Sequence, residues 1–363
     1  MRWLVRWLLR AAVFVAIGLG IAVIAPIVWV ETACVAPRAP AVAVREPILA
    51  PAYRRNPVDS LLSYPEWSIV HAYEDFAAVA RTRGESAFAY AASVSGYWSA
   101  LCRVMHTASA RGGISTDMRS TLYVIGVSFS AEMAVKGAWE RSIGALTAAW
   151  RGEVPTAADR FAHAVADDYA VFLRQTPWFL YPFGATLKRF WHEVPWRDDL
   201  SLRGLERHVA LSLEYGVKAL YAKGIGALAG LAPTVDTRIR SVVRGLDPSD
   251  LSADPRIVPI ERRADGTTVI ETPRYRAFTE IVAGLAERGR DLVEIAGNDT
   301  ILVTLVGPRD TPLPARGVGV FAVPIQAKPG AARIGVELPV DALCETMRAL
   351  RGGATVFEHA YDY

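Results

Sequence analysis

The sequence predicts a mainly α-helical protein: a single N-terminal transmembrane helix, a periplasmic α-helical bundle, and a small α+β, ferredoxin-like domain at the C-terminal end. Three observations lead there. Ala11–Val30 is an uncharged run of 20 residues (AAVFVAIGLGIAVIAPIVWV), and as a helix rising about 1.5 Å per residue it would match the roughly 30 Å hydrocarbon core of a bilayer. From Tyr64 to about Leu231, apolar residues recur at intervals of three or four, broken by glycine and proline. Past Pro233, short β-rich runs alternate with two helical patterns.

The flanks of the first run give its orientation. Arg2, Arg6 and Arg10 precede it without an acid among them, which keeps that end in the cytoplasm. Trp3, Trp7 and Trp29 suit the two headgroup levels. The bulk of the chain is then expected outside the cytoplasm, held on a single pass through the inner membrane. A cleaved signal peptide would have a shorter apolar core and a small-residue cleavage site; here Glu31 stands where a small or apolar residue is wanted, and it spoils a lipoprotein box at Cys34 as well. Three cysteines make no disulfide framework, although Cys34 and Cys102 could pair in an oxidising compartment. A net charge of +3, scattered along the chain, gives no nucleic-acid footprint.

The expected layout is a basic cytoplasmic end at 1–10, an anchor at 11–30 and a proline-rich linker at 31–60. A helical bundle follows at 61–232, a second linker at 233–266 and the α+β domain at 267–363. Pro37, Pro40, Pro47, Pro51 and Pro57 make the first linker extended. Pro65 and Glu66 read as a helix start, and helices are expected at about 65–81, 86–109, 116–150, 157–174, 184–192 and 201–228. The last has the cleanest stripe, Leu202, Leu205, Val209, Leu213, Val217 and Leu220, with Arg203, Arg207, Glu214 and Lys218 opposite. That stripe is expected to face the core. Beyond it, strands are expected at Thr267–Glu271, Leu292–Ile295, Thr300–Val306, Val318–Val323, Arg333–Leu338 and Thr355–Ala360, with helices at about 274–288 and 340–350.

The segment Tyr64–Ala77 (YPEWSIVHAYEDFA) resembles a signature of bacterial single-anchor envelope proteins of unknown function, which carry an aromatic-Pro-Glu-Trp opening and an acidic-aromatic-Ala close soon after the anchor. The resemblance covers 14 residues plus the anchor placement and implies no activity.

No nucleophile elbow, phosphate-cradling loop, dinucleotide fingerprint, HExxH or CxxC site is present. Charges on apolar stripes are the notable anomaly. Asp168 shares a face with Phe161, Val165 and Phe172; Glu132 and Lys136 share one with Ile125, Phe129 and Ile143; His71 and Glu74 lie beside Trp67 and Val70. The reading is an internal polar cluster of His71, Glu74, Glu132, Lys136 and Asp168, weighed against a structural ion-pair network. The His71/Glu74 and His163/Asp167 spacings do not suffice for a metal, since di-iron bundles use Glu-x-x-His and more carboxylates. No cofactor is expected. Trp178, Phe179, Tyr181, Phe183, Lys188, Arg189, Trp191 and Trp196 form the densest aromatic-basic patch, suited to membrane or partner contact and weighed against a buried, proline-kinked corner of the bundle core.

The function expected is a non-catalytic scaffold or assembly factor of a membrane complex, in contact with the bilayer through residues 11–30 and with a membrane or periplasmic protein. An apolar-ligand-binding module and an enzyme using the charged cluster are the alternatives.

Overall fold

The computed structural model describes residues 20, 23–37, 46–151, 154–229 and 237–363. The helical part contains α1 (Asp59–Arg83), α2 (Tyr90–Arg111), α3 (Thr116–Trp139), α4 (Ala145–Arg151), α5 (Ala157–Leu173), α6 (Phe183–Glu193) and α7 (Leu202–Ala229). A single π-helical turn, Glu140–Gly144, joins α3 to α4. Caps fall where short polar residues can reach the free N–H groups of the first turn: Ser115 accepts from Met118 at the start of α3, and Thr156 and Asp159 form a capping box on α5. Against expectation, α1 begins at Asp59, so Pro65 lies in its second turn rather than at its start.

The C-terminal part corrects the expected fold class. In place of one ferredoxin-like sheet there are two four-stranded antiparallel sheets. The first contains β1 (Arg238–Arg244), β2 (Val258–Arg262), β3 (Thr267–Pro273) and β4 (Asp291–Ile295), in the order β2-β3-β1-β4. The second contains β5 (Thr300–Pro308), β6 (Val318–Pro324), β7 (Ala331–Pro339) and β8 (Val356–Ala360), in the order β6-β7-β5-β8. Helices α8 (Pro248–Ala253), α9 (Arg276–Glu287) and α10 (Val340–Ala349) accompany them. Strands β1 and β2 fall in the segment expected to be a linker. The reason is local: three arginines and a serine interrupt the apolar residues of β1 (RIRSVVR), and β2 is an edge strand exposed along its whole length, so neither shows a continuous apolar run in the sequence.

The anchor is the second correction. Among the described residues no helix is long and apolar enough to cross a membrane. Most of the predicted span Ala11–Val30 lies outside the described residues, and the helical stretch 23–33 runs past the end of that span. Its last turn belongs to the protein: Val30 and Cys34 are buried in the helical core, and Glu31 is held by Arg119 and the Tyr123 hydroxyl. The following linker is also partly pinned, since Glu294 accepts the backbone N–H groups of Ile48 and Leu49.

The second sheet joins the two parts through the period of 2 of a strand. Leu302, Phe321 and Tyr361 belong to the core of the helices, whereas Ile301, Val303 and Ile334 belong to the core shared with the first sheet, α9 and α10. Helix α1 lies along this seam. Tyr64 stacks on Phe321 at 3.9 Å and meets Tyr361 edge-on at 5.6 Å, and the Ser60 hydroxyl donates to Tyr361 O while accepting from Leu302 N.

Cys34 and Cys102 form a disulfide across 68 positions of chain, and Cys344 is free and buried. Alkylation of the denatured protein before reduction should therefore add one adduct, at Cys344, and three after reduction. Three adducts without reduction would remove the bridge.

Candidate functional site

Two groups of polar residues stand out, and both begin with side chains the sequence pointed to. The first is a ladder of charges between α3 and α7, which run antiparallel. From one end to the other, Ser128 meets Tyr221 (3.4 Å), Glu132 meets Lys218 (2.7 Å), Lys136 meets Glu214 (3.1 Å), Glu140 meets Arg207 (2.9 Å) and Gly144 O accepts from Arg203 (3.2 Å). The contact residues on α3 and its π turn step by four, as a helix face requires. Room for them comes from glycine: a Cβ at Gly144 would come within 2.6 Å of the Glu140 carboxylate, and one at Gly137 within 2.8 Å of the Tyr90 side chain.

Arg207 is the centre of the ladder. It is 1% exposed and faces three carboxylates: Glu85 from the turn after α1, Glu140 from the π turn and Asp159 from the α5 capping box. Arg203 binds Asp159 and Glu206, each at 2.8 Å, and Glu206 also accepts from the Trp139 indole at 2.6 Å. Six carboxylates (Glu85, Glu132, Glu140, Asp159, Glu206, Glu214) thus meet four cations (Lys136, Arg203, Arg207, Lys218). Burial, then the neighbouring Glu85 charge, pushes the Glu140 carboxyl up to about 7, while Arg207 and Lys136 hold Glu85 below the usual carboxylate range despite burial.

This ladder inverts the expected orientation of α7. Arg203, Glu206 and Arg207 are buried, and every exposed residue from Leu202 to Ala222 is apolar or aromatic: Leu202, Val209, Leu213, Val217, Leu220 and Tyr221. Exposure rises from 53% at Leu202 to 72% at Leu220. Along α3 and α4 the same holds. From Thr121 to Trp150 the exposed positions carry one charge, Arg141, among Val124, Val135, Ile143, Leu146 and Trp150. The stripe was legible in the sequence, but its direction was not.

The second group lines a cavity of about 300 Å³ between α1 and the second sheet, with Trp67, His71, Glu74, Asp75, Arg174, Arg276, Lys328, Arg333, Glu358 and His359 among its walls. His71 bonds Glu74 through Nδ1 (3.0 Å) and reaches the Tyr361 hydroxyl (3.4 Å) and Glu358 (3.8 Å) through Nε2. Glu74 also accepts from Arg174 at 2.7 Å, and Arg333 grips Glu358 with two bonds of 2.6 and 2.8 Å. Despite burial, these partners hold both carboxyls down to about 2: His71 and then Arg174 at Glu74, His71 and then Arg333 at Glu358. The Trp67 ring lies 3.8 Å from the His359 ring. The YPEW…ED segment is thus the face of α1 that meets the end of the chain.

The five residues of the expected cluster do not converge. His71 and Glu74 line the cavity, Glu132 and Lys136 belong to the ladder, and Asp168 is exposed and accepts a 2.7 Å bond from the Tyr181 hydroxyl. Helix α5 buries Phe161, Val165 and Tyr169 instead, which leaves Asp168 at the margin. The aromatic-basic patch divides too. Tyr181 and Phe183 are buried, Trp178 stacks on Tyr221, Phe179 is half-buried, and Lys188, Arg189, Trp191 and Trp196 are exposed. Arg207, Glu85, Glu140, Arg333, Glu358 and His359 were missed: α7 read as a helix with a solvated charged face, and nothing local marks pairings that cross 25 residues at Arg333–Glu358, 67 at Glu140–Arg207 and 122 at Glu85–Arg207. Among the described residues, no group of three or more His, Cys, Asp or Glu side chains could hold a metal ion.

No family model, curated protein or solved structure matches the chain.

Two outcomes follow from the ladder. Arg207→Ala strands three buried carboxylates and should cost roughly 3–5 kcal/mol in chemical denaturation, whereas Arg141→Ala should be near neutral. A carboxyl raised from its usual 4.5 to about 7 binds its proton more tightly in the folded state. Its contribution is full below pH 4.5 and lost as the pH rises through 7. Glu140→Gln should therefore flatten the fall in stability between pH 5 and 8; an unchanged pH profile would show that Glu140 is ionised throughout.

Proposed function

We propose that the protein is a non-catalytic scaffold at the outer face of a membrane, with its helical part resting on lipid through the outer faces of α3 and α7. The carrying observation is the inverted polarity of these two helices, charges inward and aliphatic side chains outward. Water favours the opposite arrangement, and exposed apolar area of this extent on a protein surface marks an interaction site.

The rim supports lipid as the occupant. Trp191 and Trp196 are exposed beside Lys188, Arg189 and Arg197. Indoles favour the headgroup level, and long cationic side chains reach from there to anionic lipid. The bond between Cys34 and Cys102 supports an oxidising compartment, hence a position outside the cytoplasm. The alternatives have less in their favour. Charges, not apolar walls, fill the space between α3 and α7, and Asp168 stands apart from Glu132 and Lys136.

The test is the environment of single nitroxide labels after reconstitution of the full chain into phosphatidylcholine–phosphatidylglycerol vesicles. Labels at Leu213 and Val217 should collide more with oxygen than with a water-soluble nickel complex, and a label at exposed Glu261 on β2 should do the reverse. Water-like accessibility at both 213 and 217 would refute the lipid contact.

A further inference from the structure

We propose that the cleft between α1 and the second sheet binds a small anion through carboxylate or phosphate oxygens. The starting point is a buried polar atom that has no partner. His359 is 1% exposed, and its Nε2 has no hydrogen-bond partner among the described residues. Its other nitrogen, Nδ1, lies 3.0 Å from the Thr279 hydroxyl. That hydroxyl accepts the Ala360 N–H at 3.1 Å and has one hydrogen to give, either to His359 Nδ1 at 3.0 Å or to Ala360 O at 3.4 Å. When it goes to Ala360 O, the hydroxyl accepts from His359 Nδ1–H and both contacts are made. The ring hydrogen then sits on Nδ1; in the other tautomer it sits on Nε2, and in both Nε2 is left without a partner among the described residues. Burial, with His71 and Arg276 nearby, holds this imidazole well below its usual range, so the ring is neutral. A buried polar atom without a partner is costly, and stacking on Trp67 keeps the ring where it is.

The acceptors already present are engaged. Glu74 is taken by His71 and Arg174, Glu358 by Arg333 and Asp75 by the backbone N–H of Gln326. The cations are less fully used. Arg174 offers only its Nε to Glu74. Arg276 gives one bond to a backbone carbonyl and pairs loosely with Glu280 at 3.5 Å. The ammonium of Lys328 has no partner among the described residues and is exposed at the cavity wall. Unused donors together with occupied acceptors select for a ligand that brings acceptors and negative charge, which describes an oxygen anion. A cationic or purely apolar molecule would leave Lys328 without a counter-charge. The volume of about 300 Å³ lies at the small end of ligand sites, suited to inorganic phosphate or a short dicarboxylate.

The site rests on different residues from the lipid contact and stands or falls separately. The full chain in detergent, labelled with ¹⁵N-histidine, is titrated with inorganic phosphate and separately with succinate, against sodium chloride of equal ionic strength. Saturable heat, together with a shift of the His359 Nε2 resonance, is expected from at least one of the two anions, and which one responds distinguishes phosphate from carboxylate. Arg276→Gln and Lys328→Gln should each weaken binding roughly tenfold or more, the worth of one charge-assisted hydrogen bond, with an unaltered circular dichroism spectrum. Should Arg276→Gln fail to fold, exposed Lys328 carries the test alone. No saturable response to either anion, a response that chloride reproduces, or equal affinity in the folded variants would overturn the proposal.

Discussion

The guanidinium of Arg207 decides which way the helical part faces. A buried cation needs its counter-charges in place, and here they come from three separate elements: the turn after α1, the π turn after α3 and the cap of α5. Rotating α7 about its axis to bury Val209, Leu213 and Val217 would carry Arg207 away and leave Glu85, Glu140 and Asp159 facing one another. The cost of stranded charge exceeds that of exposing a few aliphatic side chains, so one rotation is selected. The π turn belongs to the same constraint, since it sets Glu140 on the ladder where Gly144 leaves it space.

A second constraint closes the chain on itself. Ser60, Tyr64, Trp67 and His71, along one side of α1, meet His359 and Tyr361 from the last residues. Arg274 and the backbone of Tyr275 hold Asp362, and Arg111 at the end of α2 clasps Glu337 on β7 with both terminal nitrogens. These contacts span more than 200 positions of sequence in several cases, so the seam forms only when both parts are folded. The cavity with His359 is a product of that seam and has no counterpart in either part taken alone.

How much of this was legible varies by level. The positions of α2, α3 and α5 to α7 follow from periodicity and glycine breaks, and strands β3 to β8 follow from β-branched runs, because these signals are local. The partition into two sheets was hidden, because β1 is arginine-rich and β2 lies on an exposed edge. His71 and Glu74 were recognisable as polar groups on a packed face, whereas Glu358 and His359 lie in a short strand whose alternation says nothing about its partner. The stripe on α7 was recognised residue by residue and assigned to the wrong side. Periodicity measures how well two faces are separated; which face is inside depends on what the neighbouring helices present, and that is a property of α3 and α5.

Inverted polarity also ties the stability of the helical part to its surroundings. In water the molecule bears two costs, exposed aliphatic area on α3 and α7 and the desolvation of a ladder in which carboxylates outnumber cations. Lipid against the outer face, as proposed, would remove the first. It also keeps water from the outer edge of the ladder, where Glu132, Glu214 and Lys218 are only partly buried, and a lower local dielectric strengthens their pairing. The charges inside and the apolar residues outside therefore form one design. Each would be unfavourable beside an ordinary aqueous surface, and both become favourable at the boundary of a membrane.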